Sequence, residues 1–346
     1  MNKVKEYDAL KIIAILLVII SHSTYYKISS GYGGIDYLRF DSYFYSIFDK
    51  IREIIYYFHM PLFMGISGAL YCKTKSKRSY HSFINSKFKR LIIPFIVFTL
   101  FYTIPLKYVS DYFNNVSLSS AIRGQLFLVG NSHLWYLYAL FIIFSIVEIV
   151  TKFNVKIEIL VFIAYFVHLL SYAIKFQPLS IPLTFLVWFL FGSLFEENRT
   201  KINDTLEKHG LKCLVAIVTI FLLVVVIKYI FKVNSGLQNR FLLDMLAILG
   251  SSASYIVAYL FSKKNWFDKY LFDLILVNGL GIYIFSDTLN YVILKLVYDF
   301  LGIGFMFNFG GMFLLIIVRI LLTLGISLLI TLAFKKISPK YSWLVN

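Results

Sequence analysis

The chain has 346 residues, of which 59% are hydrophobic and only 15% charged, against roughly 25% charged in a soluble globular protein. So little charge cannot coat a water-facing surface, which excludes a soluble domain of this size. Net charge is +16, yet Lys and Arg gather at the ends of apolar runs rather than in a basic patch with stacking aromatics, which argues against a nucleic-acid partner.

Apolar runs of about twenty residues separated by short polar breaks have bilayer spacing. They predict an all-α, polytopic membrane bundle of about ten transmembrane helices. Their expected positions are near 9–29, 51–72, 91–109, 133–151, 158–175, 181–196, 212–231, 241–262, 269–295 and 310–334. The first run, Ile12 to Ser21, leads into His22-Ser-Thr-Tyr-Tyr rather than a small-residue cleavage site, so it is expected to remain as the first helix. An even helix number puts both termini on one side. An N-in, C-in orientation gives cytoplasmic segments roughly a two-to-one excess of Lys and Arg, with seven of them between Lys73 and Arg90. The whole of 1–346 reads as one multi-pass domain of the cell (plasma or inner) membrane, with no separate soluble domain before or after the helices and membrane lipid as its surroundings. Cys72 and Cys213 fall near predicted cytoplasmic ends and form no CxxC pair, so no structural disulfide is expected. No internal repeat is visible, which counts against a transporter built from paired halves.

Ionisable groups inside spans are costly and are functional candidates by default. Here they are His22, His59, His168, Asp244, Asp273, Asp287 and Arg319. His59 and His168 lie among aromatics and can serve simply as hydrogen-bonding links to neighbouring helices. Asp244, close to Arg240, reads as an interfacial charge. Asp287 and Arg319 read either as a structural ion pair between the last two helices or as part of a site. No two His or Cys residues fall at metal-ligand spacing along the chain, so no metal is expected.

The first helix carries the sharpest pattern, Asp8, Lys11 and His22. Eleven residues at 100° each make three turns plus about 20°, so Lys11 and His22 share a face about 16 Å apart along the axis. Asp8 lies one turn before Lys11 and can pair with it. A buried imidazole beyond a cytoplasmic cation suits a general base reached by an anionic donor.

Asp8-Ala-Leu-Lys11 followed ten residues later by His22 resembles the start of the acyltransferase 3 family, integral membrane O-acyltransferases acting on cell-surface sugars. That family most often has Arg where this chain has Lys11, and Lys lacks the bidentate fork for phosphate. Phe58-His-Met-Pro61-Leu-Phe63-Met-Gly-Ile-Ser67-Gly68 resembles the family's F-x-M-P-L-F-F-x-x-S-G segment, where Pro61 breaks helical bonding and Ser67-Gly68 admits a neighbouring backbone. Lys87-Phe-Lys-Arg90-Leu-Ile-Ile-Pro94 resembles R-x-x-R-L-x-x-P, with Lys87 in place of an Arg. Asn131-Ser-His133-Leu-Trp135-Tyr136-Leu resembles H-L-W-Y-L, in which Trp135 and Tyr136 read equally as an interfacial belt or as a sugar platform. Gly279-Leu-Gly-Ile-Tyr283-Ile-Phe-Ser286-Asp287 resembles a late S-x-x-x-Y-L-x-H stretch, but the His is absent and Ser286 and Asp287 stand in its neighbourhood.

The resemblance implies an O-acyltransferase, most often an O-acetyltransferase, moving an acyl group from acetyl-CoA to a hydroxyl of a cell-surface polysaccharide or lipid-linked sugar. His22 would be general base or transient acyl carrier, with Asp8 orienting Lys11. Lys11, Lys87 and Arg90 would hold the acyl-CoA phosphates. His133, Trp135, Tyr136, Ser67 and Asp287 would meet the sugar or glycan acceptor. The rival class is an exporter or flippase of a polysaccharide intermediate, without covalent chemistry, whose intramembrane His and Asp residues would couple to protons.

Overall fold

The computed structural model describes residues 4–26, 28, 43–74, 79–129, 133–264, 270–302, 304 and 308–346. Asn131 and Ser132, at the head of the fourth motif, lie outside the described residues, as do parts of the predicted ends of the first and ninth spans.

Every regular element among the described residues is helical. The helices are α1 (Lys5–Ser23), α2 (Tyr43–Thr74), α3 (Tyr80–Lys87), α4 (Ile93–Phe98), α5 (Ile104–Val109), α6 (Leu118–Leu126) and α7 (Trp135–Val150), followed by α8 (Ile157–Ser171), α9 (Gln177–Ile230), α10 (Gly236–Lys263), α11 (Tyr270–Val277), α12 (Gly279–Leu301) and α13 (Phe309–Ile337). Among the described residues, seven helices, against the ten or so expected, are long and apolar enough to cross a membrane by length and composition, among them Tyr80–Val109, in which α3, α4 and α5 run on continuously. Two wide π turns, Phe88–Ile92 and Thr99–Thr103, join these three pieces. Each π turn ends just before a proline, Pro94 or Pro105. A proline ring clashes with the carbonyl four residues earlier and offers it no N–H, and a locally wider turn absorbs both defects.

The polarity of the bundle is that of a protein dissolved in lipid. Large apolar side chains such as Phe101, Phe231 and Phe300 are exposed, while Ser21, Ser23, Thr323, Ser327, Thr331, Asp287 and Arg319 are buried inside. Hydrocarbon satisfies an outward Phe, whereas buried polar groups must find partners on other helices.

The predicted spans 181–196 and 212–231 are joined in the structure by unbroken helix. If straight, α9 would be about 81 Å long, and Thr184 and Val224 would stand about 60 Å apart. Instead Thr184 shares a cavity wall with Asp244, while Val224 packs in a cluster with Leu246. Between them Phe195 meets Tyr255 at 4.6 Å between ring centroids, and Gly210 lies against Leu260. The helix therefore bends back on itself, its first arm running with α10 and its second arm against it. The elbow falls in the polar stretch Glu196–Gly210. It is held by Arg199 to Glu196 and Glu6 (both 2.8 Å), by Asn203 to Glu6 (3.0 Å) and by Tyr255 to Asn203 (2.7 Å).

The first arm of α9 crosses α2 at backbone contact. A Cβ on Gly68 would lie 1.8 Å from the Phe189 carbonyl oxygen, and one on Gly192 would lie 1.9 Å from that of Gly65. The Ser193 hydroxyl donates to the Gly68 carbonyl at 3.0 Å. The neighbouring backbone that Gly68 admits is the Phe189 carbonyl.

Candidate active site

His22 sits in the last turn of α1, where the final carbonyls of a helix have no intrahelical partner. Arg319, fully buried on α13, supplies them. Its guanidinium donates to the carbonyls of Ser23 (2.8 Å), Tyr25 and His22 (3.4 Å), and to Asn290 Oδ1 at 2.8 Å. Asn290 in turn donates to the Ser23 hydroxyl at 2.9 Å. Of the two readings of Asp287 and Arg319, the ion pair does not form among the described residues, and Asp287 meets His22 and His133 instead. On α12, Asn290 lies one turn beyond Asp287 and meets Arg319, which leaves Asp287 directed at α1.

There its Oδ1 lies 2.7 Å from His22 Nδ1. A carboxylate facing Nδ1 favours the tautomer with the proton there, which leaves the lone pair on Nε2. His22 lines a cavity of about 750 Å³, so a base and the carboxylate that orients it stand at the wall of an internal space. His133 completes the group. Its Nδ1 lies 3.7 Å from Asp287 Oδ2 and its Nε2 donates to the Tyr283 carbonyl at 2.6 Å, while the Tyr283 hydroxyl donates to the His133 carbonyl at 2.7 Å. Tyr25 and Tyr56, hydroxyls 2.6 Å apart, flank the His22 ring at centroid distances of 5.9 and 6.2 Å.

His22, His133 and Asp287 also bring one ligand atom each within 4.8 Å of one another, a grouping that could hold a metal ion. Sequence spacing argued against metal ligands, and that argument fails here because the three residues come from three separate parts of the chain. Zinc would need a tetrahedral donor set with an open fourth position. The 2.7 Å between His22 Nδ1 and Asp287 Oδ1 is shorter than the roughly 3.3 Å that separates two donors bound to one tetrahedral zinc at about 2.0 Å.

The other predicted residues distribute as follows. Trp135 lines the cavity. Tyr136 is not among its lining residues; its hydroxyl meets the Ser67 hydroxyl at 2.8 Å, which ties α7 to α2. Asp8 and Lys11 pair at 3.7 Å, as their spacing predicts. Lys87 stacks over the Phe144 ring at 3.9 Å, and Arg90 donates to the Asn346 carbonyl at 3.3 Å. None of these three cations lines the cavity. His59 stacks on Tyr56 at 4.9 Å and bonds to the Ile55 carbonyl of its own helix at 3.0 Å.

Asp244 is not the interfacial charge that its nearness to Arg240 implied. It is buried, with Oδ1 3.2 Å from His168 Nε2 and Oδ2 accepting from Tyr165 at 3.1 Å. Arg240 turns away to stack on Tyr172 at 3.9 Å and to donate to the Leu169 carbonyl. Sequence reading missed Asn290 and Ser23 because uncharged residues in a span carry no signal of their own, and it gave Tyr283, the Tyr of the late motif, no role.

The family model described as an acyltransferase domain matches residues 4–332. Among curated proteins, the chain is similar to nodulation protein NolL of Mesorhizobium japonicum, 30% identical over 190 residues that cover 53% of this chain and 44% of that one. It is also similar to nodulation protein NolL of Sinorhizobium fredii, 28% identical over 209 residues covering 60% and 53% respectively. The chain thus spans about half the length of the curated relatives it matches. No solved structure matches. A helical bundle with lipid-type polarity, a His–Asp pair at an internal cavity and a family match over nearly the whole length agree, and the chain belongs to the acyltransferase 3 family.

Proposed function

We propose that this protein is an O-acetyltransferase of the cell membrane that moves an acetyl group from acetyl-CoA, approaching from the cytoplasm, to a hydroxyl of a cell-surface or lipid-linked sugar. The observation that supports this reading best is the 2.7 Å contact between His22 Nδ1 and Asp287 at the wall of the large cavity. In that arrangement His22 Nε2 takes the proton of the acceptor hydroxyl as its oxygen attacks the thioester carbonyl. The new C–O bond forms, the C–S bond breaks, and the coenzyme leaves as a thiolate that regains the proton from His22. Asp287 stabilises the imidazolium present between those two transfers. Lys11, Lys87 and Arg90 are assigned to the donor's phosphates by charge-assisted hydrogen bonds, with the thioester arm spanning the roughly 16 Å between the levels of Lys11 and His22 on α1.

The topology that goes with this mechanism has ten crossings: α1, α2, α3 to α5 as one, α7, α8, each arm of α9, α10, α12 and α13. Both termini are then cytoplasmic, in keeping with the Lys and Arg excess. His22 lies toward the outer half and Lys11 at the inner mouth.

The test is transfer from radiolabelled acetyl-CoA into glycan by membranes holding the wild-type protein or His22→Ala, with and without a strong chelator. Label incorporated by wild type alone, unaffected by chelator, is the expected result. Chelator-sensitive transfer would replace the His–Asp base with a metal at His22, His133 and Asp287. Glycan reaching the surface with no label, only when the protein is present, would favour export instead.

A further inference from the structure

The cavity is larger than the chemistry at His22 requires. Its 750 Å³ falls in the upper part of the range of about 300–1,000 Å³ that drug-sized ligands fill, more than one sugar ring occupies. It continues past Trp135 to a second wall, built by α8, α9 and α10, which carries Tyr172, Thr184, Trp188, His168 and Asp244. None of these residues touches His22, His133 or Asp287 in any hydrogen bond, ion pair or ring contact among those described.

The chemistry of that wall is specific. His168 Nδ1 donates to the Thr184 carbonyl at 2.7 Å and its Nε2 faces Asp244 at 3.2 Å. Both ring nitrogens thus face acceptors, which makes His168 a fixed donor rather than a second base. Each Asp244 oxygen has one protein partner, Oδ1 at His168 and Oδ2 at Tyr165, and a carboxylate oxygen has room for a second donor. Around this pair stand flat rings: Tyr172 and Trp188 lie 5.4 and 6.0 Å from the His168 ring, and Trp135 lies 4.9 Å from Phe185. A pyranose ring presents an apolar C–H face and a rim of hydroxyl donors. Flat aromatic surface with a spare carboxylate lone pair matches both. Asp49, Arg52 and Glu53 also line the cavity; Arg52 pairs with Asp49 at 2.7 Å and Lys228 stands 3.6 Å from Glu53. An acidic sugar would therefore meet cations already engaged by carboxylates.

We propose that the acceptor is an uncharged oligosaccharide and that the His168–Asp244 wall is a subsite for the sugar next to the one being acylated. This rests on the acyl-transfer reading above and adds a length and charge requirement to it. A pair that merely ties α8, α9 and α10 together would lower stability when broken but would not distinguish one sugar from two.

The experiment uses the full chain in membranes with labelled acetyl-CoA. The acceptors are gluco-, galacto- and N-acetylglucosamine series, each as monosaccharide, disaccharide and tetrasaccharide, plus a uronic-acid disaccharide. For the series that is acylated, kcat/KM is expected to rise at least tenfold from monosaccharide to disaccharide, and the uronic-acid disaccharide should be at least tenfold poorer than its neutral counterpart. Asp244→Asn is expected to cut the disaccharide-to-monosaccharide ratio below about threefold, mainly through KM. Equal kcat/KM across lengths in the wild type would overturn the proposal whether or not the variant folds. So would a full length effect in Asp244→Asn, and equal use of the acidic disaccharide would overturn the charge assignment. Transfer to no sugar of any length would remove the acyl-transfer reading itself.

Discussion

Asp287→Asn isolates the role of the carboxylate with almost no change in shape. In the wild type, Asp287 Oδ1 lies 2.7 Å from His22 Nδ1 and Oδ2 lies 3.7 Å from His133 Nδ1, while the His22 ring stands against Tyr25, Tyr56 and His133. An Asn keeps the volume, so neither the cavity nor the packing of α12 on α1 should alter. Two things are lost. A charge-assisted hydrogen bond to the imidazolium contributes about 1.5–3 kcal/mol, which at 1.4 kcal/mol per factor of ten is about 10- to 100-fold in rate. The amide also can present its NH2 to Nδ1 and stabilise the opposite tautomer, with the proton on Nε2 where the base must be free. In the serine-protease triad the same change costs about 10⁴ in kcat. The expected fall in kcat is therefore between about 10² and 10⁴, with KM for both substrates within about twofold. The assay is initial-rate transfer of labelled acetyl, normalised to folded protein by size-exclusion chromatography in detergent. A variant that elutes normally and keeps more than a tenth of wild-type kcat would refute the reasoning that Asp287 orients and charges His22.

Arg319→Met should leave the Ser23 and Tyr25 carbonyls and Asn290 Oδ1 without their donor, at about 1–3 kcal/mol for each buried group. Low folded yield is expected, with partial recovery in Arg319→Lys; a Met variant as stable as wild type would disprove the clamp on α1. Gly68→Ala and Gly192→Ala place a Cβ 1.8 and 1.9 Å from a backbone oxygen and should cost about 1–3 kcal/mol of thermal stability as α2 and α9 are forced apart. Gly65→Ala, whose Cβ would sit 3.7 Å from the Trp188 carbonyl, serves as the tolerated control, and equal melting temperatures for all three would contradict the crossing geometry. Lys87→Ala or Arg90→Ala should raise KM for acetyl-CoA about tenfold, the size of one charge-assisted hydrogen bond, with kcat held. A fall in kcat at unchanged KM would move those residues out of donor binding.

Some of this was written in the sequence because the bilayer makes local rules nearly sufficient. Twenty apolar residues in a row can satisfy their backbone in lipid only as a helix, so a multi-helix bundle was legible without knowledge of any neighbour, while the ninth span, expected at 269–295, is divided between α11 and α12. Lys11 and His22 share a face by helical geometry alone, and Asp8 and Lys11 pair at 3.7 Å as i, i+3 partners should. The motifs Asp8–His22, Phe58–Gly68, Lys87–Pro94 and His133–Tyr136, taken in order, gave the family.

What the chain by itself determined, then, is its solvent, its secondary structure and the residues worth watching. Which of them meet was decided only by packing. Asp287 could have paired with Arg319 or His22, and Asp244 with Arg240 or His168. Sequence separation says nothing about either choice, because a buried charge takes the partner that helix rotation and crossing bring within about 3 Å. Asn290 intercepts Arg319 and so directs Asp287 to His22. The Gly65–Gly68 and Gly192 crossing sets where the first arm of α9 meets α2. The elbow at Glu196–Gly210, pinned by Glu6, Arg199 and Asn203, lets one helix flank α10 twice. The cavity exists between these elements rather than in any of them, so no local pattern could have shown it.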